Sequence, residues 1–189
     1  DLILVTGDQV NVRRGYSSGT PCIGVGKGNV PVIIDDTAIL DDAANKIQLS
    51  KTFDNATSCS SENAAIIHDA VYDDALAALQ AAGGYLASPE EVARIEAVLF
   101  EGGKLNRFAI GKGIEQLDTL FGLGGKLAGK SYIIVPQDKI GSDAPLSGEK
   151  LSLVLSVYRA KDFDQAMDMA HAVLDHEGIG HSVGIHTAN

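Results

Sequence analysis

Cys59 has surroundings in which a thiol could do chemistry. It lies in Asn55-Ala56-Thr57-Ser58-Cys59-Ser60-Ser61, a run of small and polar residues between a helical segment and an apolar one. A loop of that kind can open at a sheet edge or into a cleft, where a thiolate could attack an electrophilic carbon. The residues alone leave two readings open, a nucleophile and a packed thiol. Cys22, the other cysteine, adjoins Ile23 in an apolar run and reads as core. Neither cysteine belongs to a CxxC pair or to a Cys/His cluster with zinc spacing, so no structural metal is indicated. His181 follows Gly180 at the mouth of the last apolar run, where an imidazole is either a hydrogen-bonded loop residue or an acid-base group. Glu149, ahead of another apolar run, reads on its own as a solvated carboxylate. Gly24-Val25-Gly26-Lys27-Gly28-Asn29 invites a phosphate-cradling reading. Its spacing is GxGxG, however, and an apolar strand follows where a dinucleotide fingerprint requires a helix. The glycines read instead as a crossing at which backbone approaches backbone or ligand.

The elements that must position these groups alternate between strand-length apolar runs and segments of helical period. That pattern predicts an α/β fold with a largely parallel sheet flanked by helices. Strands are expected at 2–5, 22–25, 32–35, 64–68, 132–135, 151–158 and 182–186. A helix over 37–51 places Leu40, Ala43, Ala44 and Ile47 on one stripe and delivers the chain into the Cys59 loop. Ser88, Pro89 and Glu91 mark a capped helix start, with Gly102-Gly103 as its stop. Asp162 and Gln165 repeat the cap, and Gly178 and Gly180 break that helix before the last strand. The segment 122–131 reads as a loop of unassigned role.

With 189 residues, 45% of them hydrophobic, the chain can bury a sizeable core. No apolar run approaches the length of a membrane span, and no basic region precedes an apolar one at the start. A net charge of −10 and a pI near 4.8 disfavour nucleic acid as a partner. Unpaired cysteines without an export signal point to the cytoplasm. Asp1 opens directly into Leu2-Ile3-Leu4-Val5, and the chain reads as an excerpt of a longer one.

Several runs together carry a family likeness: Gly19-Thr20-Pro21 into Ile23-Gly24-Val25-Gly26; Gly28-Asn29-Val30-Pro31-Val32-Ile33-Ile34-Asp35; Ser50-Lys51-Thr52-Phe53-Asp54-Asn55; Cys59 with Ser60 and Glu62. It continues through Glu149-Lys150-Leu151-Ser152, Tyr158-Arg159-Ala160-Lys161-Asp162-Phe163 and Gly178-Ile179-Gly180-His181. In this order, over nearly the whole chain, they resemble the CoA-acylating branch of the aldehyde dehydrogenase superfamily. The residues around the cysteine look most like its sulfoacetaldehyde and succinate-semialdehyde members.

The resemblance implies part of an aldehyde dehydrogenase catalytic domain. Residues 1–30 would end the nucleotide-binding domain and 31–189 would form the thiol-bearing catalytic domain. Cys59 matches the nucleophile, and His181 matches a histidine near the thioester. Glu149 matches the glutamate that holds the nicotinamide ribose, with Leu151 where an aromatic is usual. Thr6-Gly7 matches the turn that approaches the nicotinamide, although Asp8 and Gln9 depart from the glycine-rich continuation. The implied partners are NAD or NADP, coenzyme A as co-substrate and a small aldehyde, in a homo-oligomer when full length. Gly24 stands where hydrolytic members carry a glutamate that activates water, so the thioester is expected to survive until a second thiol attacks. The implied activity is oxidation of an aldehyde, such as sulfoacetaldehyde, to an acyl-CoA; the rival readings are a non-catalytic α/β binding or thiol-sensing module, an acylating dehydrogenase for succinate semialdehyde or acetaldehyde, and a hydrolytic aldehyde dehydrogenase.

Overall fold

The computed structural model describes residues 1–189. In chain order its regular elements are β1 (Ile3–Thr6), α1 (Gln9–Tyr16), β2 (Cys22–Val25), β3 (Val30–Ile34), α2 (Leu40–Thr52), β4 (Glu62–His68), α3 (Tyr72–Ala81), β5 (Gly84–Leu86) and α4 (Pro89–Leu99). There follow β6 (Phe100–Glu101), β7 (Lys104–Leu105), α5 (Ile114–Phe121), β8 (Tyr132–Pro136), β9 (Val154–Ala160), α6 (Phe163–Val173) and β10 (Gly184–His186). No helix is long and apolar enough to cross a membrane.

Six strands pair in the order β10-β3-β4-β9-β8-β5, every neighbour parallel, which bears out the expected α/β class. Strands covered on both faces must be apolar throughout rather than alternating, and β3 is buried at every position. On one face the core gathers Ile47 of α2, Leu79 of α3, Ile95 of α4 and Phe121 of α5. On the other, Ala166, Ala170 and Val173 of α6 press on Ile33, Ile66 and Tyr158; the small alanines let the helix close on the sheet. A second sheet pairs β1 with β2 in parallel and carries α1. The chain passes from one sheet to the other through residues 26–29, ahead of β3.

The caps form as their residue types dictate. Ser88 and Glu91 close a reciprocal capping box with Pro89 in the first turn, and Asp162 accepts from the Gln165 N–H at 2.8 Å. Elsewhere the structure departs from the sequence pattern for local reasons. The helix expected from residue 37 starts at Leu40, because the Asp35 carboxylate takes the Thr37 N–H and holds a turn there. The strand expected from 151 starts at Val154, because Leu151 has a left-handed φ of 44° that no strand accommodates. Gly102 and Gly103 do not stop a helix that already ends at Leu99; both left-handed, they turn the β6–β7 hairpin. Cys22 is half-buried rather than core: its sulfur lies at the α1–β2 contact, where a Cβ on Gly15 would approach it to 2.8 Å.

One buried side chain ties the start of β3 to two distant segments. Asn29, with no exposed surface, donates from Nδ2 to the Ser147 carbonyl at 2.8 Å and the Val173 carbonyl at 3.0 Å. Replacing it by alanine strands both carbonyls. We expect Asn29→Ala to cost about 2–4 kcal/mol in urea unfolding; a loss below about 0.5 kcal/mol would show that this cross-link carries no weight.

Candidate active site

Cys59 is exposed at the tip of a backbone held in an unusual shape. After α2 the chain passes through Asp54, Asn55 and Ala56 with φ of 49°, 51° and 62°, three consecutive left-handed residues without a glycine. Asp and Asn tolerate that region and alanine does so at a cost of order 1 kcal/mol or more. Side chains fix the turn: Thr57 Oγ1 donates to the Asp54 carbonyl at 2.8 Å and to its carboxylate at 2.6 Å, while Ala56 is plugged into the core. The fourth left-handed non-glycine residue, Leu151, lies in the loop after Glu149. Gly111 braces the two loops together, its carbonyl accepting from Asn55 Nδ2 at 3.2 Å and its N–H donating to the Leu151 carbonyl at 3.0 Å.

A cleft of about 540 Å³ lies between these loops and the small sheet, and Thr6, Gly7, Cys59 and Glu149 all line it together with Lys27, Gly28 and Leu151. His181 is not among its walls. It lines an adjoining cleft of about 460 Å³ with Gln9, Lys27 and Glu177, and the two clefts share Val25, Gly26 and Lys27 as walls. Gly28 marks the point where they meet: a Cβ there would sit 2.6 Å from the Cys59 carbonyl oxygen and 3.0 Å from His181 Nε2. Space, not backbone conformation, requires glycine at this position. His181 Nδ1 is buried without a hydrogen-bond partner.

Position 24 does not occupy the place that the resemblance implies. A Cβ on Gly24 would strike Val12 Cγ1 at 2.7 Å and Tyr16 Cε2 at 3.0 Å, so a side chain there points under α1 and away from the cleft. The carboxylates that do line the cleft are Asp8 and Glu149. Asp8 is engaged as the cap of α1, accepting from the Asn11 N–H at 2.8 Å.

Burial pushes the Glu149 carboxyl above its ordinary value, and nearby Glu177 adds to the rise, while Lys27, the Gly28 N–H and Lys150 pull the other way. Glu177 reaches into this group from a π-helical turn, Leu174–Gly178, that continues α6. One of its oxygens pairs with Lys27 Nζ at 3.0 Å and the other accepts the Glu149 backbone N–H at 2.9 Å. The pairing of Lys27 with Glu177 carries no sequence signal, since the two stand 150 residues apart. Sequence reasoning passed over Lys51, although a lysine one turn beyond Ile47 on an apolar stripe is a visible anomaly.

No family model matches the chain. Among known proteins it is similar to a sulfoacetaldehyde dehydrogenase (acylating) from Cupriavidus necator, 47% identical over 190 residues that cover all of this chain and 38% of that protein. Of solved structures, an acetylating aldehyde dehydrogenase from Geobacillus thermoglucosidasius superposes with a TM-score of 0.96 at 34% identity, covering all of this chain and 42% of the other. A propionaldehyde dehydrogenase from Rhodopseudomonas palustris, with bound propionyl-CoA, gives a TM-score of 0.87 at 25% identity over 41% of its length. The chain thus spans about two fifths of the proteins it resembles.

Behind the two loops lie two fully buried amines. Lys51 Nζ donates to the Glu62 carbonyl at 2.8 Å, and Lys150 Nζ donates to the carbonyls of Leu146 at 2.7 Å and Gly148 at 3.0 Å. Burial lowers Lys51 to about 7, against the pull of Glu62 and Glu149, and lowers Lys150 as well. Between about 7 and 10.5 the unfolded chain therefore binds more protons than the folded one, and stability rises with pH across that window. Below it both states carry the charge and the contribution is level. Lys51→Met is expected to flatten this rise by up to about 1.4 kcal/mol per pH unit in urea unfolding at pH 7, 8 and 9; an unchanged slope would mean that Lys51 is not held neutral.

Proposed function

We propose that this chain, a homologue of the acylating aldehyde dehydrogenases along its whole length, is the thiol-bearing part of an enzyme that converts an aldehyde to an acyl-CoA. The observation that carries the proposal is the convergence of Cys59, Glu149, Thr6 and Gly7 on one cleft, with His181 across Gly28 from the Cys59 carbonyl. Residues 1–30, which hold the small sheet, would close a nucleotide-binding domain, and 31–189 would form the catalytic domain. The relative from Cupriavidus necator supports a small anionic aldehyde such as sulfoacetaldehyde as substrate. Two free cysteines fit a reducing cytoplasm.

The cleft volume of about 540 Å³ suits the nicotinamide end of NAD or NADP, with Glu149 to accept a ribose hydroxyl and the Thr6-Gly7 turn beside the ring. When bound, the nicotinamide supplies the hydride acceptor. Cys59 as thiolate attacks the aldehyde carbon, forming a C–S bond and an oxyanion. The Cys59 backbone N–H donates to no carbonyl within the chain and would donate to that oxygen. Loss of hydride from the adduct leaves an acyl thioester on Cys59. The CoA thiol then attacks it, its proton goes to solvent or to His181, and the Cys59 thiolate leaves as acyl-CoA forms. Hydrolysis in place of this step needs a base aimed at a water beside the thioester; of the two cleft carboxylates, Asp8 is turned to the Asn11 N–H as the cap of α1 and Glu149 is assigned to the ribose.

In the full-length enzyme, Cys59→Ser should lower CoA-dependent aldehyde oxidation by about 1000-fold or more, followed as NAD(P)H absorbance. In the unsubstituted enzyme, aldehyde should slow iodoacetamide labelling of Cys59. Retained turnover in the serine variant would remove Cys59 as the nucleophile.

A further inference from the structure

Glu177 joins three segments that the proposed reaction needs and that are far apart in sequence. Its Oε1 accepts from Lys27 Nζ at 3.0 Å, on the segment between β2 and β3. Its Oε2 accepts from the Glu149 N–H at 2.9 Å. It stands on the turn that leads directly to His181. We propose that Glu177 is a positioning residue: its carboxylate clamps Lys27 with one oxygen and the Glu149 backbone with the other, fixing how far apart the two walls of the cleft stand and aiming Glu149 at the nicotinamide ribose. This inference rests on the functional reading above.

The surroundings are shaped for that carboxylate. A Cβ on Gly148 would lie 2.8 Å from Glu177 Oε2, so only glycine leaves the oxygen room to reach the Glu149 N–H. The next residue, Gly178, packs on Asn29 ahead of β3, where a Cβ would meet the Asn29 nitrogen at 2.5 Å, so a side chain there would push the turn off its seat. The π-helical insertion adds one residue to the turn and rotates the following side chains; such insertions recur at functional sites. The Lys27–Glu177 pair keeps 37% and 24% of its side-chain surface exposed, and ion pairs that open to water contribute little to stability. What the pair provides is geometry. The titratable groups that interact with Glu149 from the packed segments are Lys27, Glu177, Lys150 and Lys51.

The test uses the full-length enzyme with two variants. Glu177→Gln keeps an oxygen for the Glu149 N–H but drops the charge that holds Lys27, and Glu177→Ala removes both. The KM for NAD(P)+ should climb from wild type through glutamine to alanine, by about tenfold or more in alanine, with kcat falling less than about threefold. Iodoacetamide labelling of Cys59 should keep its wild-type rate, which a general loss of structure would not allow. An unchanged KM in Glu177→Ala overturns the inference; if that variant does not fold, an unchanged KM in Glu177→Gln does so. Binding of NAD(P)H to wild type, followed by its fluorescence, separates the two levels. Wild type that binds with variants that bind equally well defeats only the role of Glu177. Wild type that does not bind defeats the functional reading, and this inference with it.

Discussion

Parallel pairing of β10, β3, β4 and β9 is the constraint from which the candidate site follows. These strands are neighbours in the sheet, and because they all run the same way their amino ends share one edge. The chain enters β10 just after His181, β3 just after Gly28, β4 just after Cys59 and β9 soon after Glu149. Side by side, the four entries make a row along that edge. The carboxyl ends of β1 and β2, bearing Thr6 and Val25, face the row across the cleft. Open parallel sheets commonly receive ligands at their carboxyl ends. Here the small sheet obeys that habit and the large one offers its opposite edge.

A row of loops is only as well defined as its braces. The left-handed turn before Cys59 and the left-handed Leu151 after Glu149 are both costly, and both hang on Gly111. The buried lysines hold the same region from behind by donating to backbone carbonyls at 62, 146 and 148. A hydrophobic filling would be cheaper in solvation, since an amine loses much of its hydration on burial. What the amines add is direction: Lys150 fixes the peptide that leads into Glu149, and Lys51 holds the start of β4, three residues after Cys59.

Much of this was legible in the sequence. Apolar runs and the caps at Ser88 and Asp162 gave the α/β class and the main strands, because both signals are local. The same reading placed Cys59, Glu149 and His181 at strand entries. Their convergence was not readable, since it depends on the strand order, which no local pattern encodes. The turn at 54–56 escaped because Ala56 has no intrinsic reason to be left-handed and is forced there by its contacts. The π-helical turn that carries Glu177 continues a helical pattern without a break. Gly24 shows the limit of reasoning by likeness: a side chain there would point under α1 rather than into the cleft.

Persistence of the thioester depends not on an absent carboxylate at 24 but on the engagement of the two that line the cleft, Asp8 as the cap of α1 and Glu149 as the proposed ribose ligand. If that holds, an acyl group should persist on one sulfur until another thiol removes it. The direct measurement is mass spectrometry of the full-length enzyme after aldehyde and NAD(P)+ without CoA. The account predicts a single acyl adduct on the Cys59 peptide that disappears, with acyl-CoA formed, when CoA is added. Free acid accumulating while the Cys59 peptide stays unmodified would contradict it.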